Sequence, residues 1–252
     1  MNIILIFRNE LENNGLARIS GERAEHIRNV LKCSCGDRLR IGIVDGPLGE
    51  GVLESIGADA VVLNCRFESD PPPMPRIDLL LAMPRPKVMA RLWSRLAAVG
   101  VGRLVLLKTS KVEKSFFTSH ILRPENYRAR LIDGLQQAAC THMPEVLLRP
   151  RFKPFLEDEL DSVFADSFRI LARPGAKIAL LDLLAGPDFE AVSTDPSRRI
   201  LLAIGPEGGW EEYEIEKLEK HGFRRAAMGQ RILQSDAACI LALGTVHQAL
   251  RA

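Results

Sequence analysis

The 252-residue chain lacks the features that mark membrane, secreted and disulfide-rich proteins. Apolar stretches such as 178–181 and 104–107 are far shorter than the roughly 20 residues of a membrane span, and 3–7 is too short for a signal peptide. The five cysteines are scattered without a C-x-x-C pair, so neither a disulfide framework nor a metal site is predicted. We therefore expect a cytoplasmic protein that binds neither metal nor membrane.

Two common nucleotide-binding motifs are also missing. The chain contains neither G-x-G-x-x-G nor the lysine and spacing of a P-loop, which argues against a dehydrogenase or a nucleoside triphosphatase. What the chain does contain is an ordinary globular composition, with 46% hydrophobic and 26% charged residues. This length and composition predict one large folded domain or two modest ones.

The net charge of +2 conceals an uneven distribution. Residues 1–70 carry 8 basic and 11 acidic side chains, whereas 76–130 carry 12 basic and three acidic ones. Clustered cations are what contacts with phosphates require. We expect the basic segment to bind nucleic acid, although a merely solvated helix face is the alternative.

A proline-rich stretch at 71–75 divides the chain into two differently patterned parts. Upstream, the β-prone runs 39–44, 51–56 and 60–67 alternate with turn residues, as in a small antiparallel barrel. One helix is predicted over 22–31, capped by Ser20, with Ile27, Val30 and Leu31 as its apolar face. The predicted domains are therefore 1–70 and 76–252, joined by a linker over 71–75.

Downstream, strands and helices alternate, which predicts an α/β domain with a mainly parallel sheet. We expect strands at 77–83, 103–107, 177–183 and 199–204. Helices are expected at 87–99, 125–139, 154–165 and 211–221, and a last helix begins at Ser235 or Asp236. That helix is apolar nearly all round, so it should be buried in the domain or in a subunit interface.

Two glycine-containing turns stand out near the C-terminus. Residues 201–210 read L-L-A-I-G-P-E-G-G-W, and 228–233 read M-G-Q-R-I-L. Each follows an apolar strand, and glycines at 208, 209 and 229 would let a ligand approach the backbone closely. Either turn alone is most simply a tight turn, but the pair around one helix predicts a ligand site.

These two segments resemble the cofactor loops of the RsmE family, SPOUT-class methyltransferases that modify N3 of a uridine in small-subunit (16S) ribosomal RNA. Three further segments are similar to family motifs: H-I-x-x-V-L-K at 26–32 followed by G-D at 36–37, V-G-R-L at 101–104, and M-P-E-V at 143–146. The resemblance implies a PUA-like β-barrel before a trefoil-knotted SPOUT domain, and a homodimer. It also implies S-adenosyl-L-methionine as cofactor, with ribosomal RNA or the small ribosomal subunit as partner.

The resemblance assigns roles to particular positions. Cofactor binding is expected from two groups of residues: Ile204, Gly205, Glu207, Gly208 and Gly209, then Met228, Gly229, Ile232 and Leu233. Arg231 is expected to stabilise the uridine anion, with Ser235 or Asp236 orienting the base; contact of Arg231 with a phosphate is the alternative. RNA contacts are expected at Arg8, His26, Arg28, Lys32, Arg85, Lys87 and Lys111.

The chain departs from the family pattern at four positions. Gln234 and Cys140 replace usual arginines, and Ala98 and Gln136 replace usual acids. Loss of the acidic and the basic side chains together is compatible with folding, because replacing a whole ion-pair network costs less stability than removing one partner. Two alternatives therefore remain open: a catalytically impaired RNA-binding protein of the same fold, or a methyltransferase with a different RNA target.

Overall fold

The computed structural model describes residues 2–68 and 70–250. Within them the chain forms two compact units. The first runs to residue 74 and also takes in 132–143, a segment that the sequence placed in the second domain; the second comprises 75–131 and the chain from 144 onward. Among the described residues, no helix has the length and apolar character needed to cross a membrane.

The first unit contains a five-stranded sheet. Its strands are β1 (Ile4–Ile6), β2 (Leu16–Ser20), β3 (Arg38–Ile43), β4 (Leu48–Ile56) and β5 (Ala60–Phe67), in the order β1-β3-β4-β5-β2. All neighbouring pairs are antiparallel except β1 with β3. One face carries the core, including Ile4, Ile19, Ile41 and Leu63. The three strands predicted at 39–67 are confirmed, whereas β1 and β2 were not predicted.

The predicted helix at 22–31 forms with a different geometry. It consists of α1 (Gly21–Glu25) followed by one turn of π-helix (His26–Leu31). Ser20 precedes it but makes no capping hydrogen bond through its side chain. The predicted apolar face is wrong in part: Ile27 is buried, whereas Val30 is 64% and Leu31 38% exposed, because the wider π-turn shifts later residues round the axis.

The second unit is built on a six-stranded parallel sheet, which confirms the predicted α/β domain with a mainly parallel sheet. Its strands are β6 (Ile77–Ala82), β7 (Arg103–Leu107), β8 (Glu145–Arg149), β9 (Phe168–Ala172), β10 (Ile200–Ile204) and β11 (Arg224–Ala226), in the order β11-β9-β10-β6-β7-β8. Every residue of β6 and β10 is buried. Such continuous burial is typical of central strands covered on both faces.

Helices accompany these strands, and four of the five predicted helices are found. They are α2 (Pro86–Val99), α3 (Pro124–Ala138), α4 (Phe152–Pro154), α5 (Leu160–Val163), α6 (Leu180–Leu184), α7 (Pro187–Ser193), α8 (Glu212–Lys220) and α9 (Ser235–Ala249). The single helix predicted over 154–165 is instead α4, a π-helical turn at Phe155–Glu159, and α5. Helix α9 is buried along one face, while Leu241 on the other is 47% exposed.

The strand predicted at 177–183 is wrong. The segment forms α6 instead, with Leu180, Leu183 and Leu184 buried while Leu181 is 69% exposed. Burial at i, i+3 and i+4 is a helical pattern, which the short apolar run concealed. The strand that precedes this helix is β9, which ends at Ala172.

Candidate functional site

Three loops leave the same edge of the parallel sheet. Strands β11, β9 and β10 are adjacent and parallel, so the segments that follow them begin at one edge. These are the chain after Ala172, the chain after Ile204 and the chain after Ala226. The two glycine-containing turns identified in the sequence are therefore brought together, and a third loop joins them.

A pocket of about 280 Å³ lies among these loops. It is lined by Ala172, Arg173, Pro174, Ile204, Gly205, Gly209, Trp210, Met228, Gly229, Arg231, Leu233, Ser235 and Ala238. Most of these residues are apolar or offer only backbone groups. Such a lining, with a few polar groups, is usual for small-molecule sites.

The first glycine turn has two positions where only glycine fits. A Cβ atom on Gly205 would lie 2.8 Å from the indole Nε1 of Trp210. Gly209 has a φ of +70° and donates from its backbone N to the carbonyl of Pro206 over 2.8 Å. Glycine at these positions is thus explained by the packing of Trp210 and by the turn itself.

Trp210 forms part of the pocket wall. Its side chain is 7% exposed, and its buried Nε1 finds no hydrogen-bond partner among the described residues. A buried donor without a partner is costly. This atom lies against Gly205, so the indole contributes ring surface to the pocket wall.

The turn at 205–209 is held from outside the pocket. The ammonium of Lys111 donates to the carbonyl of Gly208 over 2.9 Å and pairs with Glu211 over 3.2 Å. Glu207 accepts from the backbone N of Arg85, the residue before α2, over 3.3 Å. Glu207 and Gly208 therefore face these supports and do not line the pocket.

The second glycine turn carries an unpaired guanidinium. Gly229 has a φ of +89°, and Met228 and Leu233 border the pocket. Ile232, which was expected to bind the cofactor, is 84% exposed and does not line the pocket. Arg231 is exposed at the pocket, and no hydrogen bond or ion pair within 2–68 and 70–250 involves its guanidinium.

Ser235 and Asp236 begin α9 beside the pocket. Ser235 is 4% exposed, and its hydroxyl donates to the carbonyl of Gly205 over 3.4 Å. Asp236 does not line the pocket and lies 3.7 Å from Arg95. Ser235 thus joins the first turn to the start of α9, while Asp236 faces α2.

The residues expected to contact RNA fall in both units. In the first, Arg8 is exposed, Arg28 donates to the carbonyl of Gly57 over 2.8 Å, and Lys32 has a φ of +53°. The Nε2 atom of His26 is buried and unpartnered among the described residues. In the second unit, Arg85 precedes α2 and contacts Glu207 through its backbone N, and Lys87 lies in the first turn of α2.

The prediction missed one wall of the pocket. Ala172, Arg173 and Pro174 follow β9, which was not predicted. The run F-R-I-L-A ending at R-P-G has the apolar character and turn residues of a strand end, so the signal was present. Ala238 was missed because it faces the pocket from inside the predicted helix.

Comparison with known proteins agrees with this architecture. A family model described as an RNA methyltransferase domain matches residues 70–247. Ribosomal RNA small subunit methyltransferase E of Treponema pallidum is 28% identical over 98% of this chain and 92% of its own length. Ribosomal RNA small subunit methyltransferase E 1 of Borreliella burgdorferi is 24% identical over 96% of this chain and 95% of its own length.

Two solved structures share the fold at lower identity. A ribosomal RNA small subunit methyltransferase E from Neisseria gonorrhoeae, bound to S-adenosyl methionine, has a TM-score of 0.77 at 17% identity and covers 98% of this chain and 97% of its own. A putative methyltransferase from Legionella pneumophila, in complex with the same cofactor, has a TM-score of 0.77 at 21% identity, covering 99% and 98%. The chain belongs to the RNA methyltransferase family, and its predicted membership of the RsmE family within it is confirmed.

Proposed function

We propose that the protein transfers a methyl group from S-adenosyl-L-methionine to N3 of a uridine in small-subunit ribosomal RNA. The observation that carries the proposal is the pocket between the two glycine turns, with the unpaired Arg231 at its margin. The relatives named for this activity match nearly the whole chain. Their names support the substrate, and the pocket supports the cofactor.

The pocket's chemistry fits the cofactor. Ile204, Met228 and Leu233 offer an apolar slot for the adenine ring. Gly205, Gly209 and Gly229 bring backbone groups to the pocket wall, and Trp210 adds its indole ring. The bound cofactor would supply an activated methyl group on a positive sulfur. We propose that Glu207 and Gly208 act by shaping the turn and that Ile232 acts outside the pocket.

Arg231 is proposed to act on the target base. The imide nitrogen of uridine must lose its proton to attack a methyl group, and the resulting negative charge spreads over the neighbouring carbonyl oxygens. A guanidinium remains charged at all working pH values and donates to such oxygens. Ser235 is proposed to help orient the base from the start of α9, with Asp236 placed behind it.

RNA is proposed to bind through both parts of the chain. We propose that the first unit is a PUA-like barrel, with Arg8, His26, Arg28 and Lys32 contacting RNA. In the second unit, Arg85, Lys87 and Lys111 belong to the basic segment 76–130. The salt dependence of binding would report how many phosphates these cations neutralise.

The path of the C-terminal chain supports a trefoil knot. After β10 the chain passes through α8 to β11, on the far side of β9, and then returns so that α9 packs beside β10 and α2. We propose that this return threads the chain, as in SPOUT domains, and that the protein works in the cytoplasm. The proline-rich 71–75 is proposed as the linker between the domains.

A second copy of the chain is proposed to cover the exposed side of α9. A groove there is lined by Leu181, Ile240, Leu241, Gly244, Thr245, Gln248 and Ala249. Leu181 is 69% and Leu241 47% exposed. The same helix borders the cofactor pocket through Ser235 and Ala238. A homodimer would therefore bury apolar surface beside each active site.

The departures from the family pattern do not favour an impaired protein. Gln136 is 1% exposed, and its side-chain oxygen accepts from the backbone N of Leu5 over 3.2 Å. An amide therefore serves a structural purpose where the family usually has an acid. The pocket keeps its glycines and Arg231, which favours an active enzyme over the RNA-binding alternative.

The proposal is tested by methyl transfer from labelled cofactor to unmodified small ribosomal subunits, with the product nucleoside identified by mass spectrometry. We expect N3-methyluridine. Another methylated nucleoside would overturn the choice of target while keeping the cofactor. Cofactor binding without transfer to subunits or to naked ribosomal RNA would instead favour the RNA-binding alternative.

A further inference from the structure

Two guanidinium groups border the cofactor pocket, and only one has a role in the proposed function. Among the described residues that line the pocket, Arg173 and Arg231 are the charged ones. Arg231 lies on the turn that is proposed to meet the target base. Arg173 lies on the neighbouring loop, directly after β9, where the sequence predicted no site residue.

Arg173 is fixed in place by its neighbours. Its backbone N donates to the carbonyl of Ala226 over 3.0 Å, at the end of the adjacent strand β11. Its guanidinium pairs with Glu212 over 3.2 Å and remains 31% exposed. Because backbone and side chain are both held, the guanidinium is pre-organised at the wall, which lowers the entropy lost when a ligand binds.

The ion pair of Arg173 belongs to a small network of charged side chains. Glu212 also pairs with Arg225, over 3.4 Å, so one carboxylate is shared between two guanidinium groups. Arg225 is engaged in addition by Glu219 over 2.6 Å. The single hydrogen bond between Arg173 and Glu212 leaves other donors of the Arg173 guanidinium available, since a guanidinium has five.

The ligand carries one group that matches. At neutral pH the methionyl part of the cofactor ends in a carboxylate and an ammonium, while the adenosine part has no anion. An arginine binds a carboxylate through charge-assisted, often bidentate hydrogen bonds.

We propose that Arg173 binds the carboxylate of the methionyl part of the cofactor and that Glu212 positions its guanidinium. This places the amino-acid end of the ligand toward the loop after β9 and the reactive sulfur toward Arg231. The inference rests on the proposed use of the cofactor. It adds a residue that selects ligands bearing the intact amino-acid tail over nucleosides that lack it.

The test compares two ligands that differ only in this carboxylate: S-adenosylhomocysteine and its decarboxylated analogue. Calorimetry of the full-length wild type should give tighter binding of S-adenosylhomocysteine by about 10- to 100-fold, the range for a hydrogen bond to a charged group. In Arg173→Gln this preference should vanish, because only S-adenosylhomocysteine loses affinity. The matched control is Arg224→Gln, on the neighbouring β11, since Arg224 pairs with Asp188 and does not line the pocket.

Each other outcome is decisive. Equal affinity of the wild type for the two ligands overturns the proposal without any variant, so the test holds even if Arg173→Gln fails to fold. Equal weakening of both ligands in Arg173→Gln overturns it as well, since Arg173 would then shape the pocket without reading the carboxylate. Wild type that binds neither ligand overturns the use of the cofactor itself, a failure distinct from that of Arg173.

Discussion

The ammonium of Lys111 donates a 2.9 Å hydrogen bond to the carbonyl oxygen of Gly208. This contact joins the basic segment to the first glycine turn of the cofactor pocket. The stem of Lys111 packs so closely there that a Cβ on Gly208 would lie 2.9 Å from its Cδ. Lys111 was expected to contact RNA, and its position gives it a second possible role, as a support of the turn.

The variant Lys111→Met separates these two roles. Methionine keeps much of the stem but removes the donor, so we expect cofactor affinity to fall about fivefold, the effect of losing one partly exposed hydrogen bond. RNA affinity should fall no further than in Lys114→Met, an exposed lysine of the same segment. Calorimetry measures the affinity for the cofactor, and filter binding measures the affinity for RNA. Unchanged cofactor affinity with a larger loss of RNA affinity would establish the RNA contact instead.

Replacement of Arg231 by alanine should separate binding from turnover. Arg231 is exposed and unpaired within the described residues. The free energy of unfolding should therefore stay close to that of wild type, and the dissociation constant of the cofactor should change by no more than about twofold. Turnover should fall by about 100-fold or more, the usual effect of removing a donor that stabilises a developing anion. The neighbouring exposed Gln230→Ala is the control. Full turnover in Arg231→Ala would exclude the catalytic role and leave a phosphate contact.

The sequence predicted the sheet and the pocket unequally, for physical reasons. Long segments with clear periodicity, such as α2 and α8, were located to within a residue because burial of one face dictates the pattern. The run at 177–183 was too short to distinguish a strand from a helix. Because the strand was predicted at 177–183, β9 was missed, and Arg173, which follows β9, was not predicted as a site residue. The contact of Lys111 with Gly208 joins residues 97 positions apart, which no local pattern reveals.

A buried ion pair should dominate the stability of the second unit. Asp78 is fully buried and accepts from Arg199 over 2.6 and 2.7 Å and from the backbone N of Arg103 over 2.8 Å. Asp78→Asn removes the charged acceptor of this pair, so we expect a loss of about 3–5 kcal/mol of unfolding free energy. Urea unfolding measures it. Glu145→Gln, which removes an exposed partner of Arg103, should cost no more than about 1 kcal/mol.

A charge on the exposed face of α9 should separate the proposed dimer. Leu241 is 47% exposed beside Leu181, and Leu241→Glu would place a carboxylate in the apolar interface. Light scattering after gel filtration should show the dimer mass for wild type and the monomer mass for the variant. Ile56→Glu alters an exposed apolar residue of the first unit and should remain dimeric. Monomeric wild type, or a dimeric Leu241→Glu variant, would contradict the proposed interface.

The core of the first unit should lose stability in mildly alkaline solution. Cys65 is 8% exposed, and burial raises the pKa of its thiol from the ordinary 9.0 to about 11. Between those two values the unfolded chain releases the proton while the folded chain keeps it, so the unfolded state gains stability as pH rises. The loss reaches about 2–3 kcal/mol by pH 11, and it is absent below pH 9, where both states hold the thiol protonated. Chemical unfolding across pH 8–11 should therefore show a steeper fall for wild type than for Cys65→Ala, in which this thiol cannot titrate. Parallel pH curves for the two proteins would show that Cys65 titrates normally in the folded state.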